Sequence, residues 1–252
     1  MLGDIYSELQ KSPNSKVQNL MDAYSKIAPH YQKVKQKPWR DFVAYVEYVT
    51  NIVHLPSEGI LLDIGCGNGR NLLHFSEKRW EFVAIDVSFE LLKNFVELPI
   101  AKKSIINSDM RTLPMKPETV DIAICIAAIH HLSSKKEVVK ILKEVKSTLK
   151  NENFLILSCW RRWKKGTRKN MIIDLLLAFY KRTKNHKWRL GDLYHPWYDG
   201  GRKIIAQRYY HLYTKRKLGK IIKESGLKIR NFSKFGGKNG KDNFFVLLQK
   251  DE

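Results

Sequence analysis

The sequence predicts an α/β fold, a mainly parallel sheet with helices on both faces. Apolar runs of strand length recur at 60–64, 81–86, 104–107, 120–126 and 153–159. Helical apolar spacing lies between several of them, most clearly in Glu137–Leu149, where Val138, Ile141, Leu142 and Val145 fall on one stripe. Such a βαβ series requires crossover connections, and therefore parallel strands.

The elements follow in order. Residues 15–54 read as helical, with Pro38 standing before the well-patterned Phe42, Val43, Tyr45, Val46 and Val49 as a helix start. Ile60, Leu61, Leu62 and Ile64 supply the first strand, which runs into Gly65-Cys66-Gly67-Asn68-Gly69-Arg70. Glycines there allow a tight turn and close approach of a ligand to the backbone. Asn71, Leu72, Leu73 and Phe75 then begin a helical pattern whose free N–H groups can face a carboxylate or phosphate. Residues 161–206 read as irregular, basic and aromatic, with a short helix at Met171–Tyr180. A helix at 214–224 ends at Gly226, and strands near 227–233 and 243–249, separated by Gly236-Gly237 and Gly240, read as a hairpin. The expected organisation is one domain over 1–252. It comprises a helical cap (15–54), a cofactor-binding core (60–160), a basic insertion (161–206) and a C-terminal helix and hairpin (207–252).

Composition narrows the function. No apolar run approaches the length of a membrane span, and Met1–Tyr6 lacks a basic start followed by an apolar signal core, so a cytoplasmic location is expected. Cys66, Cys125 and Cys159 match no zinc module, and no metal site is expected. The formal charge is +21 and unevenly spread. Residues 1–158 hold 21 Lys/Arg against 18 Asp/Glu, whereas 159–252 hold 25 against 7. A near-neutral part joined to a basic part with interleaved aromatics favours a nucleic-acid partner.

The glycine turn departs from the dinucleotide G-x-G-x-x-G spacing, and no lysine follows it as a P-loop would require. The second strand ends in Asp86, where an acid can accept from both ribose hydroxyls. The third ends in Ser108-Asp109-Met110, where an acid can accept from an adenine amino group and a methionine can pack on the base. With Asp63 before the turn, these acids suit an adenosine with a charged amino-acid tail.

On these residues the chain resembles the class I S-adenosylmethionine-dependent methyltransferases, closely so over 60–160. The resemblance implies a doubly wound seven-stranded sheet, mostly parallel with the last strand antiparallel. It implies that Gly65, Gly67 and Gly69 surround the methionine part, Asp86 the ribose and Asp109 the adenine, with Tyr31, Asp63, Val87, Met110 and Ile126 completing the cofactor set. The fourth strand leads to Ala127-Ala128-Ile129-His130-His131-Leu132, where this class builds much of its active site.

The flanks Ala23–Tyr31, Lys37-Pro38-Trp39, Ser158-Cys159-Trp160, Gln207-Arg208-Tyr209-Tyr210-His211 and Lys241–Phe245 resemble the eukaryotic-type tRNA wobble-uridine carboxymethyl methyltransferases over roughly 20–250, apart from the 161–206 segment. That family esterifies the carboxymethyl group on C5 of the wobble uridine, and commonly works with a small zinc-binding activator subunit. The resemblance implies the tRNA anticodon loop as substrate. Arg208 can grip the carboxylate bidentately, Trp160 and Tyr209 or Tyr210 can stack on the base, and His130 or His131 lines the pocket. The family's Arg before Lys-Pro-Trp is Lys35 here, which keeps the charge and loses the fork. Arg161, Arg162, Lys164, Lys165, Arg168 and Lys169 are expected to meet tRNA backbone. Ile100, Ile105 and Ile106, on and beside the third strand, are expected at an exposed apolar sheet edge that invites a partner. Two other classes remain open: a small-molecule methyltransferase, for which the core alone would suffice, and a non-catalytic adenosyl-binding RNA protein.

Overall fold

The computed structural model describes residues 13–76, 79–96, 98–163, 189–201, 203–237 and 240–251. Lys164, Lys165, Arg168, Lys169 and the expected helix at 171–180 lie outside them. Seven strands form the main sheet: β1 (Glu58–Ile64), β2 (Arg79–Asp86), β3 (Lys103–Asn107), β4 (Val120–Ile126), β5 (Leu149–Trp160), and, after a separate ribbon, β8 (Lys228–Phe235) and β9 (Asn243–Gln249). Their order is β3-β2-β1-β4-β5-β9-β8. The pairings from β3 to β5 are parallel, and β9 runs antiparallel between β5 and β8. This is the expected fold, including the C-terminal hairpin.

The strands read as continuous apolar runs because both faces are covered. Leu62, Ile64, Ala123 and Cys125 face one core with Val138, Ile141, Leu142 and Val145 of α4 (Lys135–Thr148) and Leu218, Ile221 and Ile222 of α5 (Lys215–Ser225). Leu61, Ile122 and Ile124 face the other core with Phe42, Tyr45, Val46 and Val49 of α2 (Arg40–Thr50). The two sets alternate along each strand, as the pleat demands. All three cysteines are buried free thiols.

Three expectations change. The 15–54 stretch is two helices, α1 (Pro13–Val34) and α2, parted at Lys35–Trp39, and α2 starts just after Pro38. The helix after the glycine turn is only a 3-10 helix, Arg70–Phe75. Leu72 and Phe75, three residues apart, are both buried, and the i→i+3 bonds Gly69 N–H to Cys66 O and Leu72 N–H to Gly69 O begin it. The 161–206 segment is not irregular throughout. β6 (Asp192–Tyr198) and β7 (Ile204–His211) form a separate antiparallel ribbon, and β7 crosses the expected 206/207 boundary.

β3 is an edge strand, as expected. Its apolar side chains are not the open feature: Ile100 is buried, and Ile105 and Ile106 are half-buried against the two cores. What this edge offers is unpaired backbone. Among the described residues, no helix is long and apolar enough to cross a membrane, and no cluster of His, Cys, Asp or Glu is arranged to hold a metal.

Candidate active site

At the C-terminal ends of β1, β2 and β4 lies a cavity of about 660 Å³, roofed by α1 and the β6–β7 ribbon. That volume suits a nucleoside cofactor together with part of an acceptor.

Its floor is the glycine turn. Gly65 sits at φ 73°, and a Cβ there would lie 2.5 Å from Ala128 Cβ. Only glycine tolerates both conditions. Asp86 organises the turn: Gly67 N–H donates to its Oδ2 at 2.7 Å and Ser88 N–H to its Oδ1 at 2.8 Å. Burial pushes its carboxyl above the usual range, and the backbone N–H groups oppose that rise. Asp86 still lines the cavity, as do Tyr31, Gly65, Gly67, Val87, Asp109, Met110 and Ile126 of the expected cofactor set.

Two members of that set do not line it. Gly69 faces away, where an added Cβ would meet the Phe95 ring at 2.4 Å, so this glycine serves packing. Asp63 lies buried beneath the turn. Burial, and then the nearby Asp86, push its carboxyl well above the usual range, and its Oδ2 has no hydrogen-bond partner. An orphaned acid behind a glycine cradle, with Asp86 facing the cavity, fits a cofactor that carries an ammonium group and ribose hydroxyls.

The opposite end is cationic. Arg208 is only 6% exposed, and among the described residues it has no carboxylate partner. Its guanidinium lies over the rings of Trp197, Tyr210 and Tyr24, at 4.7, 5.3 and 5.9 Å. Its Nε is buried without a hydrogen bond. Lys35 and Arg70 line the same region, and the Lys35 ammonium is pushed down by burial and by the charges of Arg70 and Arg208.

Hydrogen bonds and ring stacking hold both histidines in place. His131 Nδ1 donates to Tyr209 O at 2.7 Å, so its Nε2 accepts from Tyr24 Oη at 2.9 Å. Burial pushes it down to about 3, and it is neutral. Tyr24 in turn accepts from Arg208, so His131 orients the guanidinium through Tyr24. His130 Nδ1 accepts from Trp160 N–H at 3.4 Å, and its ring stacks on Tyr210 at 4.7 Å. Trp160 also stacks on Tyr210, at 4.5 Å. Both histidines line the cavity.

Strand alternation sorts the ribbon. Leu193, His195 and Trp197 share a face with Arg208 and Tyr210, whose side chains line the cavity. Asp192 and Tyr194 share the other face with Tyr209 and His211. Tyr209, an expected base-stacking candidate, therefore points away. Its hydroxyl donates to buried Asp192 at 2.7 Å, which also accepts from His211 Nδ1 and from Arg189 N–H at 2.9 Å. Lys217 Nζ donates to His211 Nε2 at 2.9 Å. Burial holds His211 down to about 4. For Asp192 burial acts upward, but the His211 hydrogen bond and the Arg189 charge outweigh it and keep the carboxylate ionised. This polar layer anchors the strand that carries Arg208.

Sequence reasoning missed Tyr24, Arg70 and Trp197. Tyr24 was legible as a helix-face partner of Tyr31, seven positions on. Arg70 and Trp197 carry no periodic signal.

Residues 62–157 match a family model described as a methyltransferase domain. The match covers the central core, 96 of the 252 residues. The cavity's acids and glycine cradle fit S-adenosylmethionine as a methyl donor. Two curated relatives share the name tRNA (carboxymethyluridine(34)-5-O)-methyltransferase. The one from Schizosaccharomyces pombe is 25% identical over 90% of this chain and 94% of its own length. The one from Arabidopsis thaliana is 29% identical over 61% of this chain, a match spanning 35% of that relative's length. Among solved structures, a Burkholderia thailandensis 1,6-didemethyltoxoflavin-N1-methyltransferase with bound S-adenosylhomocysteine has TM-score 0.65 at 13% identity, covering 96% of this chain and 92% of that one. A chain of the complex between the Haloferax volcanii Trm112 methyltransferase activator and a methyltransferase has TM-score 0.63 at 10% identity, covering 92% and 98%.

Proposed function

We propose that the protein transfers a methyl group to the carboxylate of 5-carboxymethyluridine at the wobble position of tRNA, forming the methyl ester. The carrying observation is Arg208, a buried guanidinium with no carboxylate partner among the described residues, facing a cavity whose other end fits S-adenosylmethionine. When bound, that cofactor supplies an electrophilic methyl group on sulfur. A carboxymethyl group has a pKa near about 4, so it is already a nucleophile at neutral pH and no base is needed. The residues agree: His131 has both ring nitrogens engaged and Cys125 is a buried thiol within β4. Arg208 would hold the acceptor carboxylate, leaving one oxygen in reach of the methyl group, with water excluded by Trp160, Trp197 and Tyr210. Lys35 and Arg70 supply further positive charge for a phosphate or for the cofactor's own carboxylate. Both curated relatives named above carry this activity in their names, and the strongly basic 159–252 region suits tRNA. The free β3 edge is the proposed seat of an activator subunit, a reading supported by the likeness to the activator-bound chain.

Nucleoside mass spectrometry of tRNA from cells lacking the protein tests the reading. Loss of the uridine methyl ester, with its free acid accumulating, is expected; unchanged nucleosides would overturn it.

A further inference from the structure

Asp109, read above as the adenine acceptor, is already engaged. Arg111 Nε lies 3.0 Å from each of its oxygens, Nη2 lies 2.6 Å from Oδ2, and Arg111 N–H donates to Oδ1 at 2.9 Å. Arg111 is itself pinned. Its Nη1 donates to Glu137 Oε1 at 3.2 Å, and Lys140 Nζ donates to its carbonyl at 3.1 Å. Glu137 sits in the first turn of α4, where Ser134 caps the helix by accepting from Glu137 N–H, while Ser133 and Ser134 hydroxyls donate to Glu137 Oε2. Asp109, Arg111 and Glu137 all line the cavity and are about one quarter exposed.

An ionised carboxylate offers about four acceptor positions. Three donor hydrogens reach Asp109: Nε–H is shared between the two oxygens, Nη2–H goes to Oδ2 and the Arg111 backbone N–H to Oδ1. Of the four positions, the equivalent of one remains. A carboxylate held this way is fixed in rotation and open to one more donor. The 6-amino group of adenine is such a donor, whereas the 6-oxo group of hypoxanthine is an acceptor and would be repelled.

We infer that Arg111, braced by Glu137, is the residue that sets the base specificity of the cofactor pocket, by making Asp109 a fixed single acceptor for a 6-aminopurine. This rests on the reading of the cavity as an S-adenosylmethionine site, and it adds a positioning residue that acts through Asp109. Without the fork, Asp109 can rotate, and no longer holds its free acceptor position toward the 6-amino group.

The test is calorimetric titration of the purified full chain with S-adenosylhomocysteine and with S-inosylhomocysteine. Wild type should prefer the adenosyl compound by roughly ten- to hundredfold, the range of one charge-assisted hydrogen bond. R111M keeps the apolar stem and removes the fork. It should weaken adenosyl binding about tenfold and shrink the preference to a few-fold, with R111K intermediate and E137Q shifted in the same direction by less. Melting curves of each variant check that the fold is intact. An R111M protein that keeps the full preference overturns the inference, and so does one that weakens both compounds equally. A wild-type protein that binds neither compound would instead refute the cofactor reading beneath it.

Discussion

Replacing Arg208 by methionine separates stability from activity. The guanidinium is buried without a carboxylate, and its Nε has no hydrogen bond. Desolvating an unpaired cation costs several kcal/mol even after relaxation. Three ring faces at 4.7–5.9 Å offset roughly 2–5 kcal/mol of that. The balance is near zero, so R208M, which retains much of the stem's packing and removes the charge, should leave the melting temperature unchanged or raise it. Activity should move the other way. A bidentate, charge-assisted grip on a carboxylate contributes about 3 kcal/mol, so kcat/KM for methyl transfer to tRNA should fall at least roughly a hundredfold. Binding of S-adenosylhomocysteine should stay within about threefold, because the floor of the site is untouched. R208K keeps a charge without the fork and should recover only part of the loss. Radiolabelled methyl transfer, titration calorimetry and melting curves read the three quantities. If R208M unfolds, or if it methylates tRNA at the wild-type rate, the argument fails.

Further perturbations probe the supports. Y24F leaves the ring and removes the hydroxyl shared by His131 and Arg208. It should lower kcat/KM for tRNA about tenfold with cofactor affinity preserved, and an equal loss of both would contradict the positioning role. Gly65→Ala should abolish S-adenosylhomocysteine binding in titration, whereas Gly69→Ala should lower the melting temperature through the Phe95 clash and leave affinity in the variant that remains folded. Acid should destabilise the protein through its histidines. The folded-state values of about 3 for His131 and about 4 for His211 lie below the unfolded value near 6.5, so the unfolded chain binds more protons as pH falls from about 6.5. Each contributes up to about 1.4 kcal/mol per pH unit in that window. Asp63 and Asp86, both raised, act in the opposite sense, losing stabilisation as pH rises through their range. H211N should therefore flatten the fall of denaturant-derived stability between pH 6.5 and 5; an unchanged slope would contradict a buried neutral His211.

The parallel core was legible because burial on both faces writes unbroken apolar runs, as in β4, where every residue but Asp121 is buried. Asp86 and Asp109 were legible because a ligand at a parallel sheet meets strand ends. The ribbon was not. β6 contains Pro196, and its faces are built from aromatic and ionisable residues rather than an apolar alternation, so Asp192–Tyr198 resembles a loop in composition. Its stability comes instead from pairing with β7 and from the Asp192–His211–Tyr209 layer, which exists only once residues nearly twenty apart are in register. Glycine spacing likewise marks a turn without saying which Cα faces the ligand. Gly65 faces the cavity and Gly69 faces Phe95, a distinction that depends on where α3 (Phe89–Val96) packs.

The cavity is bipolar, and the polarity argues for the order of its contents. Asp63, Asp86, Asp109 and Glu137 gather on or just behind one wall, and Lys35, Arg70 and Arg208 on another. A cofactor with a cationic sulfur and an ammonium group is drawn to the acidic wall. Arg111 already pairs with Asp109 and Glu137 on that wall, and the positive charges of the seated cofactor add to this for an incoming carboxylate. The acceptor then faces three cations that repel one another; Lys35 is pushed down by burial first and then by the charges of Arg70 and Arg208. Binding an anion relieves that repulsion, so the strain held among the cations of the free protein favours the acceptor complex. A neutral acceptor, such as the amide in place of the acid, gains no such relief and cannot attack without losing a proton, for which the neutral and fully hydrogen-bonded His131 offers no base. On the proposed reaction, selectivity for the carboxylate over its amide would follow from charge already built into the ribbon and the α1–α2 junction, before any base of the tRNA is read.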